Sequence, residues 1–295
     1  MNFIRPEYIF RPSQIARRIA YSLGVTTQRT CAKTPWGLPI HFDPDELHGR
    51  AMLTLGLSDL RTNEIISRIL RPGDLAIDIG ANIGIMTSLM ARRAGPDGAV
   101  YAFEPHPDTR RLLEKNVASW AETSVPVAPV TVVPSAVSDR AGIAKLVEPR
   151  QFSHNSGVAK LRTTPYEEER AATQTDVPTV NFDEWAEAFR TIRLIKIDVE
   201  GHEDAVLSGM QASLATQKIE ALIFEEMRPL PSKATETLRE HKYNCYMIDR
   251  TFSRPLLRSA NNGPDKLKGE ATNVLALQEG LDAREIQHAG WSCLK

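Results

Sequence analysis

The stretch from Leu75 to Ala94 constrains the fold of this chain more than any other. Residues 75–79 form a short apolar run, and Gly80 interrupts it just before residues with helical spacing. One stripe of that helix carries apolar side chains, namely Ile85, Met86, Leu89 and Met90. A buried strand that passes through a glycine turn into a helix is the repeating unit of parallel α/β sheets. The stretch therefore predicts a strand, a tight turn and a helix.

The same turn is a candidate cofactor site. Gly80 and Gly84 allow the backbone to approach a ligand closely, and Asn82 between them is predicted to cap the helix. The third glycine of the dinucleotide fingerprint is missing. Asp78 precedes the turn, and its carboxylate would repel a pyrophosphate but could receive the cationic end of S-adenosylmethionine (SAM). The alternative is a purely structural glycine turn, which any α/β protein can carry.

Composition narrows the class of protein. Hydrophobic residues make up 42% of the 295 residues and charged residues 25%, as in ordinary globular domains. The formal net charge of -1 provides no broad positive field for nucleic acid. The three cysteines are far apart and include no C-x-x-C pair, so neither a disulfide framework nor a zinc site is predicted. These features fit a reducing cytoplasm.

We expect three regions: a mainly helical N-terminal extension at 1–70, a central domain at 71–280 and a C-terminal tail at 281–295. The extension ends in a largely helical segment at 46–70. Its first 30 residues carry five arginines but a single acid, Glu7.

A predicted helix near the start of the extension is basic and amphipathic. Ile15, Ile19 and Leu23 share one side of it. The favoured interpretation is that this helix packs on the core and leaves its arginines in solvent. The alternative is that it lies on an acidic membrane surface. The arginines interrupt any apolar run that could serve as a signal peptide.

Two further strands are predicted after the first helix. Residues 99–104 form the second strand, which ends in Glu104, and a helix follows it. Residues 130–136 form the third strand, with Ser138 and Asp139 just after it. Successive strand–helix units imply a parallel sheet with right-handed crossovers, so Glu104 lies beside the glycine turn and can accept hydrogen bonds from ribose hydroxyls. The alternative for Glu104 is a carboxylate favoured by a helix N-terminus.

Titratable residues crowd the end of another buried strand. The segment 194–214 reads as a strand and a helix, and five such residues lie between them: Asp198, Glu200, His202, Glu203 and Asp204. Crowded carboxylates raise one another's pKa unless a cation lies among them, which suits a general base or a hard divalent metal. An acidic helix start explains Glu203 and Asp204 but not Asp198 at the strand end.

The remaining predicted elements carry few candidate site residues. The strand at 219–225 ends in Glu225, and helices are predicted at 181–189 and 233–241. The last strands are predicted at 243–249 and 272–277, the second antiparallel to the first. The polar stretch 151–164 is either a ligand-binding loop or a surface linker, the charge run at 167–170 is a solvated face, and 258–270 is a glycine-containing charged loop.

Taken together, these motifs resemble the FkbM-type family of SAM-dependent methyltransferases. The matching strings are DIGANIG at 78–84, FEP at 103–105, AVSD at 136–139, NSG at 155–157 and IKIDVEGHE at 195–203. They fall in order over about residues 72–226, with Glu225 closing the next strand. The resemblance implies an α/β, doubly wound, Rossmann-like sheet of seven strands, the class I methyltransferase sheet, in which the last hairpin supplies an antiparallel strand.

The resemblance also assigns ligands to residues. It places SAM's amino-acid end among Asp78, Gly80, Asn82 and Gly84. It implies that Glu104 holds the ribose and that Ser138 or Asp139 lies near adenine.

Methyl transfer to a hydroxyl group also calls for a catalytic base. A hydroxyl is a poor nucleophile while protonated, so we expect Asp198, helped by Glu200 or His202, to orient and deprotonate the acceptor hydroxyl. The alternative is a Mg²⁺ site that uses Asp198 with Glu200 or Glu225.

The acceptor is expected to be a small-molecule or glycan hydroxyl, on a sugar, a glycolipid or a secondary metabolite, rather than a nucleic acid. We expect the N-terminal helices to cap it. Two other functions stay open on the sequence: an NAD(P)-dependent oxidoreductase with the same fold, and a SAM-binding partner protein without activity. The sequence leaves the oligomeric state open.

Overall fold

The computed structural model describes residues 6–9, 11, 13–25, 28–149, 160–161, 171–262 and 271–294. Some predicted features lie outside these residues. They are most of the polar loop at 151–164 with its NSG motif, the charge run at 167–170 and most of the charged loop at 258–270. No helix in the described ranges is long and apolar enough to cross a membrane.

The helices are mostly short and are spread along the whole chain. Their bounds are α1 Pro6–Ile9, α2 Ser13–Ser22, α3 Leu47–Thr54, α4 Leu60–Ile69, α5 Ile85–Ala94, α6 Pro107–Ala121, α7 Phe182–Trp185, α8 Glu203–Ser208, α9 Gln211–Ala215 and α10 Lys233–Glu240. Short 3₁₀ helices lie at Ala260–Asn262, Ala283–Ile286 and Ser292–Leu294.

The strands fall into three sheets. Their bounds are β1 Cys31–Lys33, β2 Pro39–His41, β3 Leu75–Ile79, β4 Ala99–Phe103, β5 Val130–Val133, β6 Ala136–Ser138, β7 Gly142–Pro149, β8 Lys160–Leu161, β9 Ala171–Asn181, β10 Leu194–Ile197, β11 Ala221–Glu226, β12 Tyr243–Arg250, β13 Pro255–Ser259 and β14 Thr272–Gln278.

The central sheet has the order β13-β12-β14-β11-β10-β3-β4-β5. Strands β11, β10, β3, β4 and β5 are parallel, and β14 runs antiparallel to β11 and β12. This confirms the doubly wound α/β fold and the antiparallel last hairpin. The described sheet has eight strands rather than seven, because β13 adds to the edge of β12 where the sequence indicated only a connection.

The central strands are buried on both faces because their alternate side chains enter two different apolar clusters. In β3, Ala76 joins one cluster and Ile77 the other. In β10, Leu194 and Ile195 divide in the same way. This explains why these strands read as continuous apolar runs in the sequence.

The N-terminal extension and the tail share a core with the central sheet. Leu57 and Ile65 of the extension, Leu89 of α5 and Trp291 of the tail belong to one cluster of buried side chains. The Glu64 carboxylate of α4 also accepts hydrogen bonds from the backbone amides of residues 292 and 293, at 2.7 and 2.8 Å. The extension and tail are therefore packed parts of the molecule.

The extension differs from its mainly helical prediction in two ways. Strands β1 and β2 form an antiparallel pair ahead of α3. The predicted helix at 46–70 is two helices, because Gly56 takes φ +74° and Asp59 begins α4 by accepting a hydrogen bond from the amide of Arg61 at 3.0 Å.

Helix α2 is oriented opposite to the favoured prediction. Gln14 is fully buried and Arg17 and Arg18 are half-buried, whereas Ile19 and Leu23 are 45% and 73% exposed. Ile19 and Leu23 therefore face solvent, whereas Ile15 is half-buried and Tyr21 packs against the core beside the buried Gln14. The interpretation of a helix docked by its apolar side is wrong for these residues.

A second sheet, of order β6-β9-β7-β8, was not predicted. The run at 130–136 was predicted to be one strand, but β5 ends at Val133, just before Pro134, and β6 begins at Ala136. Proline has no amide hydrogen for the ladder, so the chain leaves the central sheet there and joins the second one. Ser138 consequently lies in the second sheet, paired with Asn181 of β9.

Candidate active site

A cavity of about 250 Å³ lies at the carboxyl ends of β3, β4, β10 and β11. Strand order reverses between β3 and β10, which is where doubly wound folds bind their ligands. Seven of the predicted site residues line it: Gly80, Asn82, Glu104, Asp198, Glu200, His202 and Glu225. Four others do not: Asp78, Gly84, Ser138 and Asp139.

The glycine turn after β3 is held against β4 and β10. The amides of Gly80 and Ala81 both donate to the carbonyl of Phe103, at 3.0 and 2.9 Å. Gly80 takes φ +78°, and a Cβ there would lie 1.9 Å from the carbonyl oxygen of Asp198. Only glycine fits this position, so Gly80 lets the ends of β3 and β10 meet at the cavity.

Asn82 and Gly84 exchange the structural role that the sequence predicted at the start of α5. Asn82 has φ +50°, and the residue that precedes the first turn of α5 is Gly84, so Asn82 is not the helix cap. A Cβ on Gly84 would lie 2.5 Å from the side chain of Leu113 in α6. Gly84 therefore allows α5 and α6 to pack closely, and it is not among the lining residues.

Glu104 is a buried carboxylate that faces the cavity and is held by the backbone. Its Oε2 accepts from the amide of Asn82 and its Oε1 from the amide of His106, both at 2.9 Å. Burial raises the pKa of Glu104, although these two hydrogen bonds oppose the rise. Each carboxylate oxygen keeps a free lone pair, so Glu104 can accept hydrogen bonds from a ligand's hydroxyls.

A lysine that the sequence reading missed joins two acids beneath the cavity. The Nζ of Lys196 lies 3.0 Å from Asp198 Oδ2, 3.7 Å from Asp78 Oδ1 and 3.4 Å from the carbonyl of Gly80. Burial lowers the pKa of Lys196, but Asp198 and Asp78 outweigh it and the net pKa is raised. The sequence did contain a signal for this role, because Lys196 interrupts the otherwise apolar strand β10.

Asp78 lies under the cavity floor. It is fully buried, and its Oδ2 accepts a hydrogen bond from Thr87 at 2.6 Å. Burial raises its pKa, while Lys196 and Thr87 oppose the rise. Asp78 is therefore not among the lining residues, and its nearest charged partner is Lys196.

Three carboxylates that line the cavity lie close together. Asp198, Glu200 and Glu225 each offer an oxygen within 4.8 Å of the others. Burial, together with the neighbouring acids, raises the pKa of both Glu200 and Glu225 to about 7. Such oxygens could ligate a hard divalent cation, but Lys196 already supplies a positive charge beside Asp198.

His202 brings the second sheet into the site. Its Nε2 lies 2.9 Å from Ser138 Oγ, and burial lowers its pKa, against the opposing charge of Asp139. Ser138 and Asp139 themselves do not line the cavity, because β6 turns them toward His202 and solvent. The wall here consists of Ser135, Ala136 and Val137.

The other two acids of the 198–204 cluster are structural. Glu203 Oε1 accepts from the amides of Val199 and Gly201, at 3.4 and 3.2 Å, and so shapes the turn. Asp204 pairs with Arg228, with Nη to Oδ distances of 2.7 and 2.9 Å. Both residues lie in the first turn of α8, as the alternative of an acidic helix start expected, but their contacts are with the preceding turn and with Arg228.

The N-terminal extension also contributes to the cavity. Leu47 and His48 of α3 and Ser58, which precedes α4, are among the lining residues. His48 Nδ1 is shielded from solvent and has no hydrogen-bond partner among the described residues. Burial lowers the pKa of His48, against the opposing charge of Asp198. No motif in the first 70 residues marked these side chains.

Comparisons with known proteins agree on one family. The model of the methyltransferase FkbM domain matches residues 78–245, more than half of the chain. The hexuronic acid methyltransferase AglP of Haloferax volcanii is 31% identical over 195 residues, which cover 63% of this chain and 72% of AglP. The 31-O-demethyl-FK506 methyltransferase FkbM of Streptomyces tacrolimicus is 31% identical over 166 residues, which cover 48% of this chain and 61% of FkbM.

A solved structure was also found. The methyltransferase FkbM from Methylobacillus flagellatus KT aligns with 72% of this chain and 50% of its own, at 13% identity and a TM-score of 0.40. The family assignment depends on the sequence matches and not on this likeness.

Proposed function

This chain belongs to the FkbM family of SAM-dependent methyltransferases, and we propose that it methylates a hydroxyl group on a sugar, a glycolipid or a secondary metabolite. One observation carries the proposal: the glycine turn, the Glu104 carboxylate and the Asp198 carboxylate all open into the same cavity. A cofactor held by the first two would lie within reach of an acceptor held by the third.

The turn and Glu104 suit SAM. The turn lines the cavity with Gly80 and Asn82, and Glu104 offers free lone pairs to ribose hydroxyls. The acidic surroundings favour a cationic ligand over a pyrophosphate. When bound, SAM supplies an activated methyl group, and this chain's residues have to place the acceptor oxygen against it.

Asp198 is the proposed base. Its side chain is 41% exposed and lines the cavity, and its Oδ2 lies 3.0 Å from the Nζ of Lys196. A carboxylate at this point can accept a hydrogen bond from the acceptor hydroxyl, orient its oxygen and receive its proton. Glu200 and His202 line the same wall and are proposed to help hold the hydroxyl.

A Mg²⁺ ion is the alternative way to activate the hydroxyl. Asp198, Glu200 and Glu225 provide oxygens at suitable spacing, and a cation would relieve the repulsion among them. The nearby Lys196 ammonium opposes cation binding, so we favour the base.

The acceptor is proposed to be uncharged and rich in hydroxyls. The crowded carboxylates would repel an anionic group unless a metal ion bridged it, whereas they accept hydrogen bonds from a neutral polyol. The likeness to a hexuronic acid methyltransferase supports a sugar ring. A uronate acceptor would therefore make activity depend on a divalent cation.

The N-terminal extension is proposed to complete the acceptor side. Leu47, His48 and Ser58 add an apolar contact and two polar groups to the wall. The unpartnered His48 Nδ1 is available for an acceptor hydroxyl. On this account the extension caps the substrate.

The test is a transfer assay with methyl-labelled SAM. Purified protein would be incubated with neutral methyl glycosides and, separately, with glucuronic acid, with and without Mg²⁺, and products would be analysed by mass spectrometry. We expect one added methyl group on a neutral glycoside, and loss of the reaction in His48→Ala but not in His41→Ala, which lies outside the cavity. Methylation of a nitrogen acceptor alone would contradict the proposal, and methylation of glucuronic acid alone would contradict the choice of an uncharged acceptor.

A further inference from the structure

The end of the N-terminal helix α2 and the residues just after it present apolar side chains to solvent. Ile19 is 45% exposed, and Leu23 and Val25, just beyond the helix, are 73% and 74% exposed. We call these three residues the outward patch. In water a surface helix normally buries its apolar side, so the outward patch is the reverse of the usual arrangement.

Where α2 packs on the protein, some buried polar atoms have no hydrogen-bond partner among the described residues. Gln14 is fully buried, and both of its side-chain amide atoms lack a hydrogen-bond partner among the described residues. The same holds for Nη1 of Arg11, which lies with Gln14 against Gly56. This docking does not satisfy the polar groups that it buries, so packing on the body does not explain why the apolar residues are turned outward.

The segment around the outward patch is strongly basic. Residues 1–30 hold five arginines and one acid, a net of plus four in a chain whose total is -1. The acid, Glu7, is already paired with Arg250 at 3.1 Å. Arg17 and Arg18 are half-buried and Arg29 is exposed, and none of them forms an ion pair within the described ranges.

The positive charge of residues 1–30 makes an anionic membrane a better partner for the outward patch than a second copy of the chain. A second copy of the chain would bring two plus-four segments together at a symmetric contact, which costs energy. An anionic lipid surface offers the opposite charge to the arginines and an apolar layer to the three side chains.

We propose that the segment 13–25 docks this protein on an anionic membrane surface through the outward patch of Ile19, Leu23 and Val25, with the exposed Arg29 and the net positive charge of residues 1–30 attracting the headgroups. The docking surface lies beside the cavity. Helix α2 packs against α3, and α3 begins with Leu47, which is 58% exposed and also lines the cavity. Docking would therefore hold the cavity close to acceptors at the membrane.

The test is co-sedimentation of the full chain with vesicles. Pure phosphatidylcholine vesicles would be compared with vesicles that also contain phosphatidylglycerol. We expect binding to the anionic vesicles that weakens with salt, and a partition coefficient at least about tenfold lower for Ile19→Ser/Leu23→Ser. Ile143→Ser is the matched control, because Ile143 is 78% exposed on β7, outside α2.

Light scattering and cofactor binding separate the other outcomes. No binding to anionic vesicles, or equal binding of the patch variant and wild type, would overturn the proposal. A dimer that Ile19→Ser/Leu23→Ser dissociates would assign the patch to a second copy instead. Binding of S-adenosylhomocysteine is measured on the same samples, so a failure of the proposed methyltransferase activity is told apart from a failure of docking.

Discussion

Replacing Lys196 with methionine would remove the one cation found close to both Asp78 and Asp198 in the described structure. Asp78 is fully buried, its Oδ2 is bonded to Thr87, and its Oδ1 has no hydrogen-bond partner and lies 3.7 Å from Lys196 Nζ. Loss of the ammonium leaves a buried carboxylate without a counter-charge, which costs about 3–5 kcal/mol. We expect Lys196→Met to lower the free energy of unfolding by that amount, measured by urea denaturation at about pH 8.

The pH dependence of this loss has a definite sign. Burial already raises the pKa of Asp78, and removal of Lys196 raises it further. The protonated acid needs no counter-charge, so the deficit should shrink as the pH is lowered, and Asp78→Asn in the same chain should recover much of it.

The control is an exposed ion pair of the same kind. Lys145 lies 3.1 Å from Asp176, with side chains 45% and 65% exposed, so Lys145→Met should cost no more than about 1 kcal/mol. Equal costs for the two lysine variants, or no recovery with Asp78→Asn, would refute the assignment of Lys196 as the charge partner of Asp78.

Further predictions concern the acids. Asp198→Asn should slow methyl transfer about 10²- to 10⁴-fold with binding of S-adenosylhomocysteine retained, whereas Asp204→Asn, which alters a pair with Arg228, should stay near full activity. Near full activity in Asp198→Asn would exclude it as the base. Because the pKa of Glu200 and Glu225 is raised to about 7, the folded state holds their protons more tightly. The free energy of unfolding should therefore fall as the pH rises from about 4.5 through 7, by roughly 1 kcal/mol per group, and Glu200→Gln/Glu225→Gln should flatten this slope. Dialysis against a chelator should leave methyl transfer of a neutral acceptor unchanged, and a loss that Mg²⁺ restores would instead make the three carboxylates a metal site.

The sequence predicted the parts of the fold whose pattern is local and strong. The apolar runs at β3, β4, β10 and β14 and the glycine turn after β3 place the central sheet correctly. The second sheet was missed because β9 is mostly polar and carries the run TQTD at 173–176, which lacks the alternation typical of a strand, and because Pro134 ends β5 within the run 130–136.

The site was predictable where residues follow strand ends directly. Glu104, Asp198 and Glu225 fall at the cavity because the carboxyl ends of parallel strands share one edge of the sheet. Lys196 and His48 were not predicted, since their positions depend on contacts between elements that are distant in the chain. The side of α2 that packs on the protein likewise depends on the contact of Arg11 and Gln14 with Gly56, and the spacing of apolar residues in the sequence does not reveal this contact.

Isothermal titration calorimetry tests the central claim most directly. S-adenosylhomocysteine and NADH would each be titrated into the wild-type protein and into Glu104→Gln, with Glu148→Gln as a variant outside the cavity. The account predicts binding of S-adenosylhomocysteine to the wild type and to Glu148→Gln, at least about tenfold weaker binding to Glu104→Gln, and no binding of NADH. Binding of NADH without binding of S-adenosylhomocysteine would contradict the account and favour an oxidoreductase.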